Sequence, residues 1–303
     1  MVSILLQNVF SALQWGSFYS MIALGYCLVY GVLRLINFAH GDIFMTACYI
    51  AFFITSGLLS ALGGQNALIF ALTLVLTMAA TALLGVTIER IAYRPLRRKG
   101  VNRLYVVITA LMVGFILENG NLAFLGASSR TFPDILDKHI WQIGSISLTN
   151  LKVLVIIAAF AVYGLLEFIV RKTVFGMAMR AISYDKFAIP LMGIPVNAII
   201  TFTFALGSAL AAVAGILYGM SYPVLDPYMG TIIGWKAFIA AVVGGIGDIK
   251  GAFLGGFILG FIEIFITAFF PSSYKDLISF VILLIILSIK PTGFFGVARS
   301  AKI

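Results

Sequence analysis

The sequence predicts an all-α polytopic membrane protein with eight or nine transmembrane helices, some of them discontinuous. Of its 303 residues, 62% are hydrophobic and only 10% are charged, whereas a soluble domain carries about 25% charged residues. A soluble protein must cover its apolar core with polar side chains, so this composition suits a lipid environment. The apolar residues also form long runs, and about 20 apolar residues as helix cross a bilayer core of ~30 Å.

The apolar runs predict nine spans within a single transmembrane domain over residues 1–303. They lie near residues 9–33, 43–62, 67–89, 105–125, 151–170, 197–220, 232–246, 252–270 and 277–290. Glycines and prolines favour discontinuous helices, above all in the first two spans and the seventh.

Basic residues between the spans predict the orientation, because Lys and Arg concentrate in cytoplasmic loops. The basic groups fall in the ranges 90–103 and 171–186 and in the tail at Lys290, Arg299 and Lys302. Even numbers of spans separate these segments, so all three are expected in the cytoplasm. The N-terminus is then outside, the C-terminus is cytoplasmic, and the external segments are 63–66, 126–150, 221–231 and 271–276.

Several function classes are excluded by composition. The net charge of +9 follows from the cytoplasmic loops, and no nucleic-acid-binding motif is present. Two histidines and two cysteines do not form a metal motif, so no metal or other cofactor is expected. The chain has no Gly-Lys dipeptide and hence no phosphate-binding loop of the Walker type. Any ATP chemistry must therefore come from a partner, and the chain itself is not expected to be an enzyme.

Polar residues interrupt the apolar sequence between the first two spans. The stretch Arg34-Leu-Ile-Asn-Phe-Ala-His-Gly-Asp42 contains four polar or ionisable side chains, those of Arg34, Asn37, His40 and Asp42. Such groups are costly at membrane depth unless they are paired or face water. One interpretation is a helix break that lines a translocation pathway or its cytoplasmic mouth. The other is an ordinary cytoplasmic turn in which Asp42 caps the next helix.

Three ionisable residues fall within or near apolar spans. Glu263 is in the middle of its span without a partner nearby in sequence, which makes it a candidate for a pathway or gate, or for a hydrogen bond between helices. Lys236 is interpreted as extending to the outer interface. Glu118 lies near an external helix end and is expected to be partly hydrated.

Small residues at four-residue spacing predict close helix packing. One ladder contains Gly207, Ala211, Gly215 and Gly219, and the other contains Gly247, Gly251, Gly255, Gly256 and Gly260. The run Gly244-Gly-Ile-Gly-Asp-Ile-Lys-Gly251 lacks the strand, turn and helix context of a dinucleotide site, so it is interpreted as a break between helices.

The cytoplasmic segment 171–194 is too polar at its start to span a membrane. Phe187, Leu191 and Ile194 recur at helical spacing, which indicates a short amphipathic helix. Such a helix either docks in a partner's groove or lies on the membrane surface.

Motifs along almost the whole chain resemble the permease subunits of branched-chain amino acid ABC importers, specifically the shorter of the two paired permeases. The matching stretches are Ala23-Leu-Gly-Tyr-Cys-Leu-Val-Tyr-Gly31, Ile36-Asn-Phe-Ala-His-Gly-Asp42, Ile88-Glu-Arg-Ile-Ala-Tyr-Arg-Pro-Leu96, Arg180-Ala181 with Asp185, Ala188 and Gly193-Ile194, Lys236-Ala-Phe-Ile-Ala-Ala-Val-Val-Gly-Gly-Ile-Gly247, Gly255-Gly-Phe-Ile-Leu-Gly260, and Tyr274-Lys-Asp276 before Pro291-Thr-Gly-Phe294. Their collinear order is specific to the family but not to the solute.

The resemblance implies a location in the cytoplasmic membrane of a prokaryote and four kinds of partner: a second permease, two cytoplasmic ATPase subunits, an external substrate-binding protein and membrane lipid. It also implies a cytoplasmic coupling segment at about 176–194 that docks on an ATPase. The coupling residues expected on this basis are Arg180, Ala181, Asp185, Ala188 and Gly193. Other members of the family carry urea, short amides, aromatic acids or other carboxylates.

Two departures from the family pattern concern individual residues. The acidic residue after His40-Gly41 is often Glu in relatives and is Asp42 here, and Pro190 falls inside the expected coupling helix, which it should end or kink. The alternatives from other functional classes are an ion-coupled secondary transporter and a membrane-embedded enzyme or scaffold subunit.

Overall fold

The computed structural model describes residues 2–143, 146–184 and 189–296, and helices dominate it. The helices are α1 (Val2–Leu33), α2 (His40–Leu62), α3 (Ala67–Ile88), α4 (Arg94–Arg98), α5 (Arg103–Leu125), α6 (Asn150–Lys172), α7 (Val174–Tyr184), α8 (Val196–Ser221), α9 (Met229–Gly245), α10 (Ile249–Phe269) and α11 (Lys275–Ile289). Within the described residues, eight helical segments are long and apolar enough to cross a membrane, and α9 is shorter, at 17 residues. The predicted polytopic all-α fold is therefore confirmed. The first, second and seventh spans are each one continuous helix (α1, α2 and α9), so the discontinuity expected inside them was wrong. The orientation of the two ends of the chain stays a prediction.

Helices α1 and α8 form the centre of the bundle. Small residues in both helices let other helices approach closely, and α1 packs against α6, α8, α9 and α10. The outer helices α3, α5, α6 and α11 bury much less of their surface. Their exposed side chains are large and apolar, as lipid requires.

The chain turns back into the bundle between α1 and α2. Arg34 adopts a left-handed conformation (φ 56°) and ends α1. The next helix does not begin at the same level, because the imidazole of His40 lies directly against Gly25. Gly25 is eight residues before the end of α1, or about 12 Å along its axis. Helix α2 thus begins inside the bundle, and its N-cap is Ala39. This contradicts the alternative interpretation of an ordinary turn in which Asp42 caps the next helix.

A second break separates α9 from α10. Gly245 and Gly247 have left-handed φ angles of 115° and 99°. Asp248 then caps α10, since its Oδ1 accepts a hydrogen bond from the amide of Gly251 at 2.7 Å. Gly247 consequently lies in this turn, and the glycine ladder of α10 starts at Gly251.

Glycines sit at the closest helix contacts. In α8, Gly207 lies near the carbonyl oxygen of Gly25, Gly215 lies against Cys48, and Gly219 lies against Phe132; in α10, Gly251 packs on Gly244, Gly255 on Ala240, Gly256 on Ser20 and Gly260 on Gly16. A side chain on α10 at these positions would meet backbone atoms, which cannot move aside as the end of a side chain can.

Gly260→Ala is expected to lower the stability of the protein, because the new methyl group would overlap the backbone of Gly16. Overpacking of this kind costs about 1–3 kcal/mol. The control is Gly164→Ala in α6, since no described residue has an atom within 4 Å of the methyl position there. The apparent melting temperature in detergent measures both, and an equal value for the two variants would contradict a tight contact between α1 and α10.

Short strands connect loops at one end of the bundle. Strand β1 (Arg130–Thr131) pairs antiparallel with β4 (Val224–Leu225), and β2 (Ile140–Ile143) forms a hairpin with β3 (Ile146–Thr149). The first pair joins the loops after α5 and α8, which the sequence places on the same side of the membrane.

Candidate functional site

Three of the four predicted pathway residues lie together, on the segment that turns back into the bundle. Asn37, His40 and Asp42 are all buried, with 3%, 1% and 7% of their surfaces exposed. Glu263 lies apart from them, between α1, α9 and α11. The structure thus joins the polar residues of the break into one site and assigns Glu263 a different neighbourhood.

His40 is enclosed by aromatic and glycine contacts. The ring of Tyr26 packs edge to face on the imidazole, with 4.9 Å between the centroids. The imidazole Nε2 has no hydrogen-bond partner in the part of the chain that the structure describes. Because Gly25 has no side chain, His40 can occupy the space beside α1.

Asp42 lies in the first turn of α2 and lines a cavity of about 150 Å³ between α2, α5 and α9. Glycines make this space: a methyl group on Gly114 would lie 2.5 Å from Asp42 Oδ2, and one on Gly230 would lie 2.8 Å from Oδ1. Gly41 also packs directly on Gly230 and Gly234 of α9. These contacts hold the start of α2 against α9.

Asn37 connects the segment to Tyr93, which lies five residues beyond the end of α3. Its side-chain oxygen accepts a hydrogen bond of 2.7 Å from the hydroxyl of Tyr93. Asn37, Tyr93 and Arg97 also line a second cavity, of about 220 Å³. The segment 35–39 therefore separates this cavity from the one at Asp42.

A buried ionic cluster that the sequence did not predict lies beside Asn37. The carboxylate of Glu89 has no exposed surface and binds Arg94 at 2.7 Å and Arg97 at 2.8 Å. Thr201 of α8 donates a further hydrogen bond of 2.9 Å to the same carboxylate. Arg97 also binds the side chain of Asn197, so the cluster ties α3 and α4 to α8.

A π-helical turn over Glu89–Tyr93 creates this cluster. The amide of Arg94 donates to the carbonyl of Glu89, five residues earlier, which brings their side chains together. The sequence contains a sign of this cluster, because Glu89 is the one acid beside the basic run 90–103. The basic run itself served only to predict the orientation of the chain.

Glu263 is partnered by residues distant in sequence. Tyr19 donates a hydrogen bond of 2.7 Å to Glu263, and the ammonium of Lys236 lies 2.9 Å from its carboxylate. Lys236 also binds Asp276 of α11 at 2.6 Å. Only 5% of the Lys236 side chain is exposed, so the prediction that it extends to the interface was wrong: it is paired within the bundle.

Glu118 lies near the mouth of the Asp42 cavity. It is half-buried and accepts a hydrogen bond of 2.6 Å from the hydroxyl of Thr231 on α9. Thr231 itself lines the cavity. Two carboxylates, those of Glu118 and Asp42, therefore flank one hydroxyl at this surface.

The predicted coupling residues are on two separate elements. Arg180 and Ala181 belong to α7, Gly193 follows a short 3₁₀ turn over Ile189–Met192, and Asp185 and Ala188 lie outside the described residues. Pro190 is inside the 3₁₀ turn, so α7 ends before it. Gly193 has a left-handed φ of 77° and closes that turn through a hydrogen bond to the carbonyl of Pro190.

Comparisons with known proteins match this chain to one family over almost its whole length. Residues 8–287 match the family described as branched-chain amino acid transport system, permease component. The high-affinity branched-chain amino acid transport system permease protein LivH of Escherichia coli K12 is 37% identical, with 98% of this chain and 97% of LivH aligned. The corresponding BraD protein of Pseudomonas aeruginosa is 39% identical over 98% of both chains.

An archaeal relative extends the comparison. The probable branched-chain amino acid transport permease protein LivH of Methanocaldococcus jannaschii is 29% identical over 94% of this chain and 91% of that protein. The matches cover nearly all of the spans described above, including both breaks between helices. This multi-pass membrane protein belongs to the family of permease components of branched-chain amino acid transport systems.

Proposed function

We propose that this chain is one of two membrane-spanning permease subunits of an ATP-binding-cassette importer, which carries branched-chain or similar amino acids across the cytoplasmic membrane of a prokaryote. The observation that carries the proposal is the identity of 37% to LivH and 39% to BraD over 98% of the chain. Two cytoplasmic subunits hydrolyse the ATP, and an external binding protein delivers the solute. The permease moves the solute without changing its covalent bonds.

The cytoplasmic segment at about 176–194 is proposed to dock on an ATPase subunit. Leu191 and Met192 support this role, because 89% and 73% of their surfaces are exposed in a loop between two spans. Exposed apolar side chains suit a hydrophobic groove on a partner. Arg180 donates a hydrogen bond to the carbonyl of Val170, so a movement of α7 would be passed to the end of α6.

The solute pathway is proposed to run beside Asn37, His40 and Asp42, at the interface with the second permease. Helix α2 starts inside the bundle after the break at residues 34–39, and breaks between helices within the membrane form solute sites in other transporters. Glu118 and Thr231 present polar groups on the surface of α5 and α9 beside the cavity. Because a carboxylate in contact with lipid is costly, this surface suits a neighbouring protein or a water-filled path.

Purification of the chain from its native membranes in mild detergent tests the proposal. We expect a second permease and two ATPase subunits to co-purify. In proteoliposomes, leucine, isoleucine or valine with the external binding protein should raise ATP turnover and accumulate inside. A variant of the ATPase partner that lacks the phosphate-binding lysine should abolish accumulation.

Two outcomes would contradict the proposal. Uptake by the isolated chain that is driven by an ion gradient and indifferent to ATP would identify a secondary transporter. Purification without any ATPase subunit, together with no transport in every reconstitution, would favour a scaffold. Stimulation by urea, amides or carboxylic acids instead of amino acids would keep the importer class and change the solute.

A further inference from the structure

The cavity at Asp42 combines one carboxylate with several aromatic rings. Its walls include Tyr26, Phe38, Phe115 and Trp235 in addition to Asp42. The rings of Phe38 and Trp235 are in contact, with 5.2 Å between their centroids. At about 150 Å³, it matches a cavity known to hold a molecule of the size of benzene. It can therefore take a small organic group rather than a single water molecule.

The carboxylate of Asp42 lacks a counter-ion. Only 7% of the residue is exposed, and no described residue forms a hydrogen bond with its Oδ1. The described residues that line the cavity include no lysine and no arginine. A buried charge without a partner is strongly unfavourable. By contrast, Glu89 and Glu263, the other buried carboxylates among the described residues, each bind two basic residues.

The buried carboxylate of Asp42 and the aromatic walls of the cavity favour a cationic ligand. A carboxylate pairs with an ammonium group, and aromatic faces attract cations as well as apolar side chains. Glu118 lies close by through its contact with Thr231 and adds further negative charge. An amino acid with an aliphatic side chain offers both an ammonium group and an apolar group to such a cavity.

We propose that this cavity is a transit site for the protonated amino group of the solute, with Asp42 as its counter-ion and the aromatic rings around the aliphatic side chain. The proposal rests on the transport function proposed above and narrows the solute to amines with an apolar side chain. Phe115 and Trp235 are also partly exposed on the surface of the chain, so the cavity opens outward between α5 and α9. The group that receives the carboxylate of the solute would lie on the chain that covers this opening.

Competition binding to the reconstituted complex, without the external binding protein, tests the site directly. Labelled leucine is competed with two analogues: 3-methylbutylamine lacks the carboxylate, and 2-hydroxy-4-methylpentanoate lacks the amino group. The amine is expected to compete at least about tenfold better than the hydroxy acid, since loss of a charge-assisted hydrogen bond costs that much or more. Equal competition by the two analogues would overturn the proposal. A site that binds sodium and does not bind leucine would overturn it as well.

Asp42→Asn is expected to lower leucine binding and ATP-dependent uptake about tenfold or more. Co-purification of the second permease and the ATPase subunits, together with the apparent melting temperature in detergent, shows whether the variant complex is folded and assembled. Asp42→Glu, which keeps the charge, should retain part of the uptake. Glu167→Gln is the matched control, since it removes a carboxylate from a surface ion pair on α6. Normal uptake by Asp42→Asn would overturn the proposal.

A pair of glycine variants tests the cavity without altering its charge. Gly114→Ala places a methyl group 2.5 Å from Asp42 Oδ2 and is expected to weaken leucine binding, whereas Gly120→Ala, on the same helix, has no described atom within 4 Å and should bind normally. Equal binding by the two variants would contradict the site. A wild-type complex that binds leucine but shows no ATP-driven uptake would refute the importer function and leave the binding site supported.

Discussion

Glu89→Gln is expected to destabilise the protein by about 3 kcal/mol. The carboxylate is fully buried and binds both Arg94 and Arg97. Removing one partner from a buried ion pair leaves uncompensated charge, which costs more than the pair itself contributed. Here two guanidinium groups lose their anion together, and about 20% of each remains exposed, which places the cost at the lower end of the usual range.

Thermal unfolding of the detergent-solubilised protein measures this effect. Glu167→Gln is the appropriate control, because it breaks a more exposed pair on α6, in which 19% of the Glu167 side chain and 52% of the Arg171 side chain are exposed. Surface pairs of that kind contribute about 0.3–0.5 kcal/mol. If Glu89→Gln lowers the melting temperature no more than Glu167→Gln does, the cluster does not hold α3 and α4 against α8.

Loss of this cluster should also affect transport. Thr201 and Asn197 lie in the first turns of α8, directly after the segment proposed to dock on an ATPase, and both bind the Glu89 cluster. Tyr93, on the same π-helical turn, binds Asn37. A rigid connection therefore runs from the start of α8 to the segment that turns back into the bundle, so a Glu89 variant that folds is expected to hydrolyse ATP with reduced uptake.

Lys236→Met is expected to cost about 3 kcal/mol in stability, because Glu263 then loses its closest cation. Glu263 is 1% exposed, and the remaining lysine, Lys275, is 3.5 Å away, compared with 2.9 Å for Lys236. The cluster fastens α9 to α10 and α11, since Lys236 also binds Asp276. The same thermal assay in detergent reports the loss.

A double-mutant cycle measures the interaction energy between Lys236 and Glu263 separately from the effect of each residue alone. The variant that combines Lys236→Met with Glu263→Gln should be more stable than the sum of the two single losses predicts, because both buried charges are removed together. Lys152→Met is the control, since the ammonium of Lys152 contacts only the hydroxyl of Ser11 in the described structure. Additive losses in the cycle would show that Lys236 and Glu263 act independently.

The residues of the candidate site were only partly predictable from the sequence. Asn37, His40 and Asp42 were proposed because they are polar groups in a short break between two apolar runs, which is a local pattern. The role of Glu89 was not predicted, because some of its partners lie shortly after it in the sequence and another lies on α8. Lys236 was misplaced for the same reason: a lysine in an apolar helix suggests a side chain that reaches for water, unless a buried carboxylate elsewhere in the chain is known.

The sequence by itself determined the membrane class, the succession of helices and the positions of both breaks between them. These are local properties, since apolar length sets the spans and the absence of water in the bilayer forces the backbone to satisfy its hydrogen bonds within each helix. Tertiary structure alone decided the depth at which α2 begins, the pairing of Lys236 with Glu263, and the bond between Glu89 and Thr201, 112 residues apart. Those features depend on which helix faces meet, and hydropathy does not record that, because lipid and a neighbouring helix are equally apolar surroundings.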